Sequence, residues 1–148
     1  MGDINFSVIA KNLDIEVKVL KEIFESINTN LNKLKVDLKS LEQSRDAELN
    51  DLAGGKDYGD KSQLEENMNK RHWDIDSKRK TLKKMQGALR RFEEGDYGLC
   101  LDFEEPIDKR RLISDPLVEY CLEAQENHEQ KSSVEATSAQ YPKGFEDE

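Results

Sequence analysis

The 148-residue sequence has little of what most catalytic or secreted domains rely on. It holds two cysteines, Cys100 and Cys121, two histidines, three prolines and one tryptophan, with aromatics at 7%. Two thiols close at most one disulfide in an oxidising compartment, and in a reducing one they read as free thiols or as the remains of a metal site. No nucleophile stands at a recognisable spacing from a base, and no Gly-rich phosphate loop precedes a helix, so the chain reads as a non-enzyme. No run of eighteen apolar residues and no basic segment followed by an apolar one is present, so the expectation is a cytoplasmic chain with neither membrane span nor leader. Basic excess is absent too. The formal net charge of -9 repels a phosphate backbone at long range, which favours a protein partner over direct contact with nucleic acid.

What is present is charge, at 37% of residues against 35% hydrophobic, a balance that cannot fill a large globular core and suits an elongated, helix-rich shape. From Leu13 the apolar positions fall at Val17, Leu20, Phe24, Ile27, Leu31, Leu34, Leu38 and Leu41, alternating steps of four and three. That is a heptad seam, one narrow stripe that a partner helix must cover. It is expected to continue to about Ala53, where Gly54-Gly55 ends the helix. A second seam starts near Asp60 and runs through Leu64, Met68, Ile75, Leu82, Met85, Leu89 and Phe92, interrupted by Arg71 and Lys78. So short a connection folds the two helices back on each other as an antiparallel pair about 50 Å long, its turn far from both chain ends.

The resulting expectation is an all-α-dominated fold: a long antiparallel two-helix coiled-coil hairpin over 13–95 with its tip at 54–62, and a small globular module with a C-terminal helix over 96–131. The N-terminal segment 1–12 adds a short helix through Phe6, Val8 and Ile9 that packs on the module, and a Ser-, Thr-, Ala- and Glu-rich stretch over 132–148 reads as a disordered acidic tail. Gly95-Asp-Tyr-Gly98 should stop the second helix, with a short helix from Pro116 onward. At the tip, Asp57 and Asp60 are two carboxylates on the end of a rod. Read from composition alone, Asp60 is a helix N-cap and the pair suits the helix dipole. Residues 70–91 hold nine Lys or Arg against two acids, with Trp73 among them, and read chiefly as a solvated helix face.

The string Gly95-Asp-Tyr-Gly-Leu-Cys100, followed by Ile107, Arg110-Arg111-Leu112, Pro116 and Cys121, resembles the globular module of the DksA/TraR family in order and spacing. The resemblance extends to the tip. Asp57-Tyr-Gly-Asp60-Lys-Ser62 matches that family's Asp-x-x-Asp-x-Ala motif, with Asp60 forty residues before Cys100 and Ser62 where Ala is usual. It covers roughly residues 57 to 130.

The resemblance implies a module built like a four-cysteine zinc finger, but Phe103 and Ala124 stand at the second position of each cysteine pair. Zinc takes about four N, S or O donors, so the expectation is a zinc-free module in which Phe103 and Ala124 make an apolar contact. The alternative is a labile zinc held by Cys100, Cys121 and an acid such as Asp102 or Glu123, with His128 as a further candidate. The resemblance further implies a monomeric transcription regulator that inserts its acidic tip into the secondary channel of bacterial RNA polymerase, near the bound magnesium, and modulates open complexes, including those at ribosomal RNA promoters. By the same analogy Lys84 falls at a guanosine tetraphosphate contact, while the other two basic positions of that site read Asp115 and Gln125, so dependence on this alarmone of the stringent response is expected to be slight. Arg110 and Arg111 are either polymerase contacts or module-stabilising groups. Two rival readings remain at this stage, a transcript-cleavage factor holding a second magnesium at the tip and a structural coiled-coil adaptor.

Overall fold

The computed structural model describes residues 3–53 and 61–140. Five helices follow in order: α1 (Phe6–Leu13), α2 (Val17–Ala53), α3 (Lys61–Glu94), α4 (Lys109–Ser114) and α5 (Leu122–Gln140). No strand occurs among the described residues, and a single antiparallel bridge joins Leu99 to Pro106. The fold is the all-α hairpin that the two seams require.

α2 and α3, of 37 and 34 residues, pack along each other as an antiparallel rod. Leu20, Ile23, Ile27, Leu31 and Leu38 of α2 and Ile75, Ala88 and Phe92 of α3 are buried between them. The register is pinned by ion pairs that cross the seam: Arg71 reaches Glu48 at 2.6 Å, and both Nε and Nη2 of Arg79 reach Glu42 Oε1, at 3.2 and 2.7 Å. The later residue of α3 meets the earlier residue of α2, as antiparallel packing demands. Arg71 and Lys78, the two interruptions of the second seam, are half-buried and paired, Lys78 to Asp74 one turn earlier at 3.2 Å, so their stems line the seam while their charges are satisfied at its edge. Each such pair contributes below about 1 kcal/mol, so the seam supplies most of the stability.

The sequence places Leu13 and Val17 on one continuous helix, and here the structure differs. Leu13 ends α1, Asp14 turns the chain in the left-handed region (φ 56°), and α2 starts at Val17. Asp tolerates that conformation better than most side chains. The four-and-three spacing persists across the break because Leu13 is still buried, beside Gly98 and in one core with Leu20 and Phe92. Asn5 caps α1 by accepting from the Val8 N–H at 3.2 Å. Ile9, Ala10 and Leu13 face inward, and Val8, expected on that inner side, is exposed.

α3 ends in a paired turn. Gly95 adopts φ 83°, its N–H bonds to Phe92 O at 3.3 Å, and Asp96 N–H reaches back to Arg91 O at 2.8 Å. These bonds satisfy carbonyls that a helix end leaves open. The chain is thereby turned so that the Tyr97 ring stacks on Phe92, 3.9 Å between centroids. Phe92 also meets Phe24 at 5.2 Å and Phe6 at 6.0 Å, so one aromatic cluster joins the rod, α1 and the module. The Tyr97 hydroxyl donates to Pro116 O at 2.8 Å and fixes the module's far side.

Two module boundaries differ from the sequence expectation. Pro116 lies in a turn and α5 begins only at Leu122, while the separate short helix α4 is capped by Asp108, which accepts from the Arg110 N–H at 2.9 Å. α5 also runs to Gln140, across the point at Ser132 where a disordered tail was expected. Residues 132–140 hold neither Gly nor Pro, and a helix already nucleated extends through Ser, Glu, Ala and Gln at little cost.

Candidate functional site

Three regions carry the chemistry that the sequence singled out. The first is the connection between the ends of α2 and α3. Asp57 and Asp60 fall in residues 54–60, outside the described residues, and Ser62 is the second residue of α3, exposed to solvent.

The second region is the module around the two cysteines, which are free thiols. A small loop from Gly98 to Ile107 is closed by backbone bonds, Cys100 N–H to Glu105 O at 2.7 Å, Glu104 N–H to Cys100 O at 2.8 Å and Ile107 N–H to Gly98 O at 2.8 Å. The Leu101 N–H ties it to Glu119 O at 3.0 Å. Cys100 is buried. Burial pushes its thiol up, but the backbone N–H groups of Cys121, Phe103 and Asp102 and the Cys121 thiol outweigh that and hold it below the ordinary value. Ala124 is fully buried beside this cluster, whereas Phe103 leaves 41% of its surface exposed on the turn, so the expected Phe103–Ala124 contact is not what closes the module. Tyr97, Ile107 and Leu112 fill the space instead.

The donors of this region do not fit a tetrahedral zinc. Phe103 and Ala124 offer no ligand atom, and among the described residues no group of three or more His, Cys, Asp or Glu is placed to hold a metal ion. Asp102 and His128, the extra ligands considered from sequence, pair with each other at 2.8 Å, and the His128 ring lies 4.3 Å from that of Tyr120. This pair links the cysteine loop to α5.

The third region is charged. Lys84 opens into a groove of about 590 Å³ whose lining mixes Lys83, Arg90 and Arg91 with Glu94, Asp96, Glu104 and Glu119. Arg110 and Arg111, inseparable by sequence, differ in structure. The Arg110 side chain is 89% exposed beside Asp108 at 3.8 Å. Arg111 is half-buried and its Nη2 donates to Tyr120 O at 3.2 Å and to Gln125 Oε1 at 2.6 Å, which makes it a strut between α4 and α5. Asp115 and Gln125 line one small groove with these arginines, and Lys84 lies in the other.

No family model matches the sequence. Over 59 residues, 40% of this chain, it is 44% identical to the RNA polymerase-binding transcription factor DksA of Caulobacter vibrioides, in strains NA1000 and CB15 alike. That stretch spans 42% of the length of those relatives. The structure is similar to that of transcription factor DksA2 from Pseudomonas aeruginosa, with a TM-score of 0.62 and 28% identity over 78% of this chain and 87% of that one. Both likenesses support membership of the DksA family. The chain has a hairpin and an aromatic joint at Phe92, and its module is held by backbone bonds, apolar burial and the Asp102–His128 pair.

Trp73, read from sequence as part of a solvated face, is 71% exposed, more than any other large hydrophobic residue among those described. Its place at the far side of the heptad was legible from spacing alone. Tyr97 was read only as part of a helix stop, and nothing in the sequence marked its ring as the joint's lid.

Proposed function

We propose that this protein is a non-enzymatic, cytoplasmic transcription regulator that binds bacterial RNA polymerase by inserting its hairpin into the secondary channel and modulates the stability of promoter open complexes. The observation that carries the reading is a rod about 50 Å long with its only short connection at residues 54–60, where Asp57 and Asp60 lie, on a chain similar to polymerase-binding DksA proteins. A slender rod delivers two carboxylates to a site that a globular domain cannot enter. There they act by favouring one polymerase conformation over another, and a difference of about 1.4 kcal/mol shifts that equilibrium tenfold. Ser62, small and exposed at the start of α3, leaves the approach narrow. Promoters with short-lived open complexes, ribosomal RNA promoters among them, are the expected targets, and no contact with DNA is needed.

The module works in this reading without a metal and as a monomer. Regulation depends little on guanosine tetraphosphate, because Asp115 and Gln125 occupy two positions where a tetraphosphate needs cations and Lys84 lies in a groove separate from both. Arg110 is free to meet the polymerase, whereas Arg111 is committed to Gln125 and Tyr120. The test is competition on core RNA polymerase between this protein and a transcript-cleavage factor that occupies the secondary channel. Displacement of the competitor supports the reading. Binding without displacement places the protein elsewhere on the enzyme and refutes it.

A further inference from the structure

On the outward side of α3, Lys70, Trp73, Ser77, Lys80 and Lys84 recur at steps of three and four, so they form one stripe on the side opposite the buried Ile75. Four other cations of α3 are already used: Arg71 by Glu48, Lys78 by Asp74, Arg79 by Glu42 and Arg91 by Glu119. Lys70, Lys80 and Lys84 form no ion pair among the described residues. Trp73 stands between them with most of its indole in water, which stabilises nothing in the folded chain. Beside it lies a groove of about 480 Å³ lined by Leu41 and Glu48 of α2 and by Asn67, Lys70, Arg71 and Asp74 of α3. An exposed aromatic beside a groove, with unpaired lysines one to three turns away along the same face, is the composition of an interface centre.

We infer that this stripe is a docking surface for an acidic protein wall, with Trp73 as its anchor. The inference rests on the channel-insertion reading and names the wall of that channel as the occupant. Charge complementarity selects it: three lysines that form no ion pair among the described residues share one helix face and call for carboxylates. Position agrees. Trp73 is twelve residues beyond the start of α3, roughly 18 Å along the axis at about 1.5 Å per residue, and so lies in the half of the rod nearer the tip, which enters first.

The test uses the full chain with 5-hydroxytryptophan at its single tryptophan position, excited to the red of the polymerase's own tryptophans, together with Trp73→Ala, Trp73→Phe and Lys80→Glu variants. Saturating core RNA polymerase is expected to reduce acrylamide quenching of the label several-fold. Affinity should fall by about tenfold or more in Trp73→Ala and in Lys80→Glu while Trp73→Phe keeps most of it, with helix content unchanged in all three. If wild type and Trp73→Ala bind polymerase equally, or the label stays as quenchable as in the free protein, the anchor is refuted and channel insertion stands. No binding by the wild type overturns both. Protection of the label by duplex DNA alone would assign the stripe to nucleic acid and overturn the inference.

Discussion

Adding one methyl group at Gly98 tests the joint between α1 and the module. Gly98 has φ 86°, and a Cβ there would lie 2.5 and 2.7 Å from the two terminal carbons of Leu13 and 3.1 Å from its Cγ. Gly95 has nearly the same backbone, φ 83°, with nothing within 4 Å of its Cβ position. Gly95→Ala therefore reports the left-handed backbone cost alone, about 1 kcal/mol. Gly98→Ala adds overpacking of about 1–3 kcal/mol, because the branched end of the buried Leu13 must shift to admit the methyl group, for a total of roughly 2–4 kcal/mol. That is a large share of the roughly 5–15 kcal/mol typical of folded domains. Urea unfolding of the wild type and both variants, followed by far-UV circular dichroism, measures the difference. Leu13→Ala should cost less in the Gly98→Ala background than in the wild type, giving a coupling of about 1 kcal/mol or more. Equal costs at the two glycines within about 0.5 kcal/mol, or strict additivity with Leu13→Ala, would refute the close approach.

Burial holds the Tyr97 phenol well above its ordinary value, Arg91 opposing and Asp115 assisting, so its neutral form is favoured by folding. The stability this gives is fully present below pH of about 10 and lost as pH rises further. Ultraviolet titration should show its phenolate appearing together with loss of helix, and Tyr97→Phe should cost about 1 kcal/mol through the lost bond to Pro116 while making the alkaline loss shallower. His128→Ala should cost below about 1 kcal/mol in thermal melting, since its bond to Asp102 is partly exposed. A strong chelator should leave the melting temperature unchanged, and metal analysis of the purified protein should find no stoichiometric zinc.

The rod was legible because a heptad seam needs only spacing. What spacing could not show is where the chain breaks while the pattern continues, as at Asp14, since a buried leucine looks the same whether it faces α3 or Gly98. Arg71 looked like a seam defect because its partner Glu48 becomes visible only once the register is known, whereas the Lys78–Asp74 pair lies within one turn of α3. In the module, the two thiols and the missing ligand positions were plain from sequence. The way Tyr97, Leu112 and the Asp102–His128 pair hold the module depends on tertiary packing that no local pattern encodes. The tip acids, the strongest sequence signal, fall at 57 and 60, between the described ends of α2 and α3.

The most direct test of the account is transcription from a ribosomal RNA promoter by bacterial RNA polymerase without alarmone, titrated with wild type or Asp60→Asn while polymerase binding is measured in parallel. The account predicts that wild type inhibits and that Asp60→Asn binds as well but inhibits little. Equal inhibition by the two proteins, or none by a wild type that binds, would contradict it.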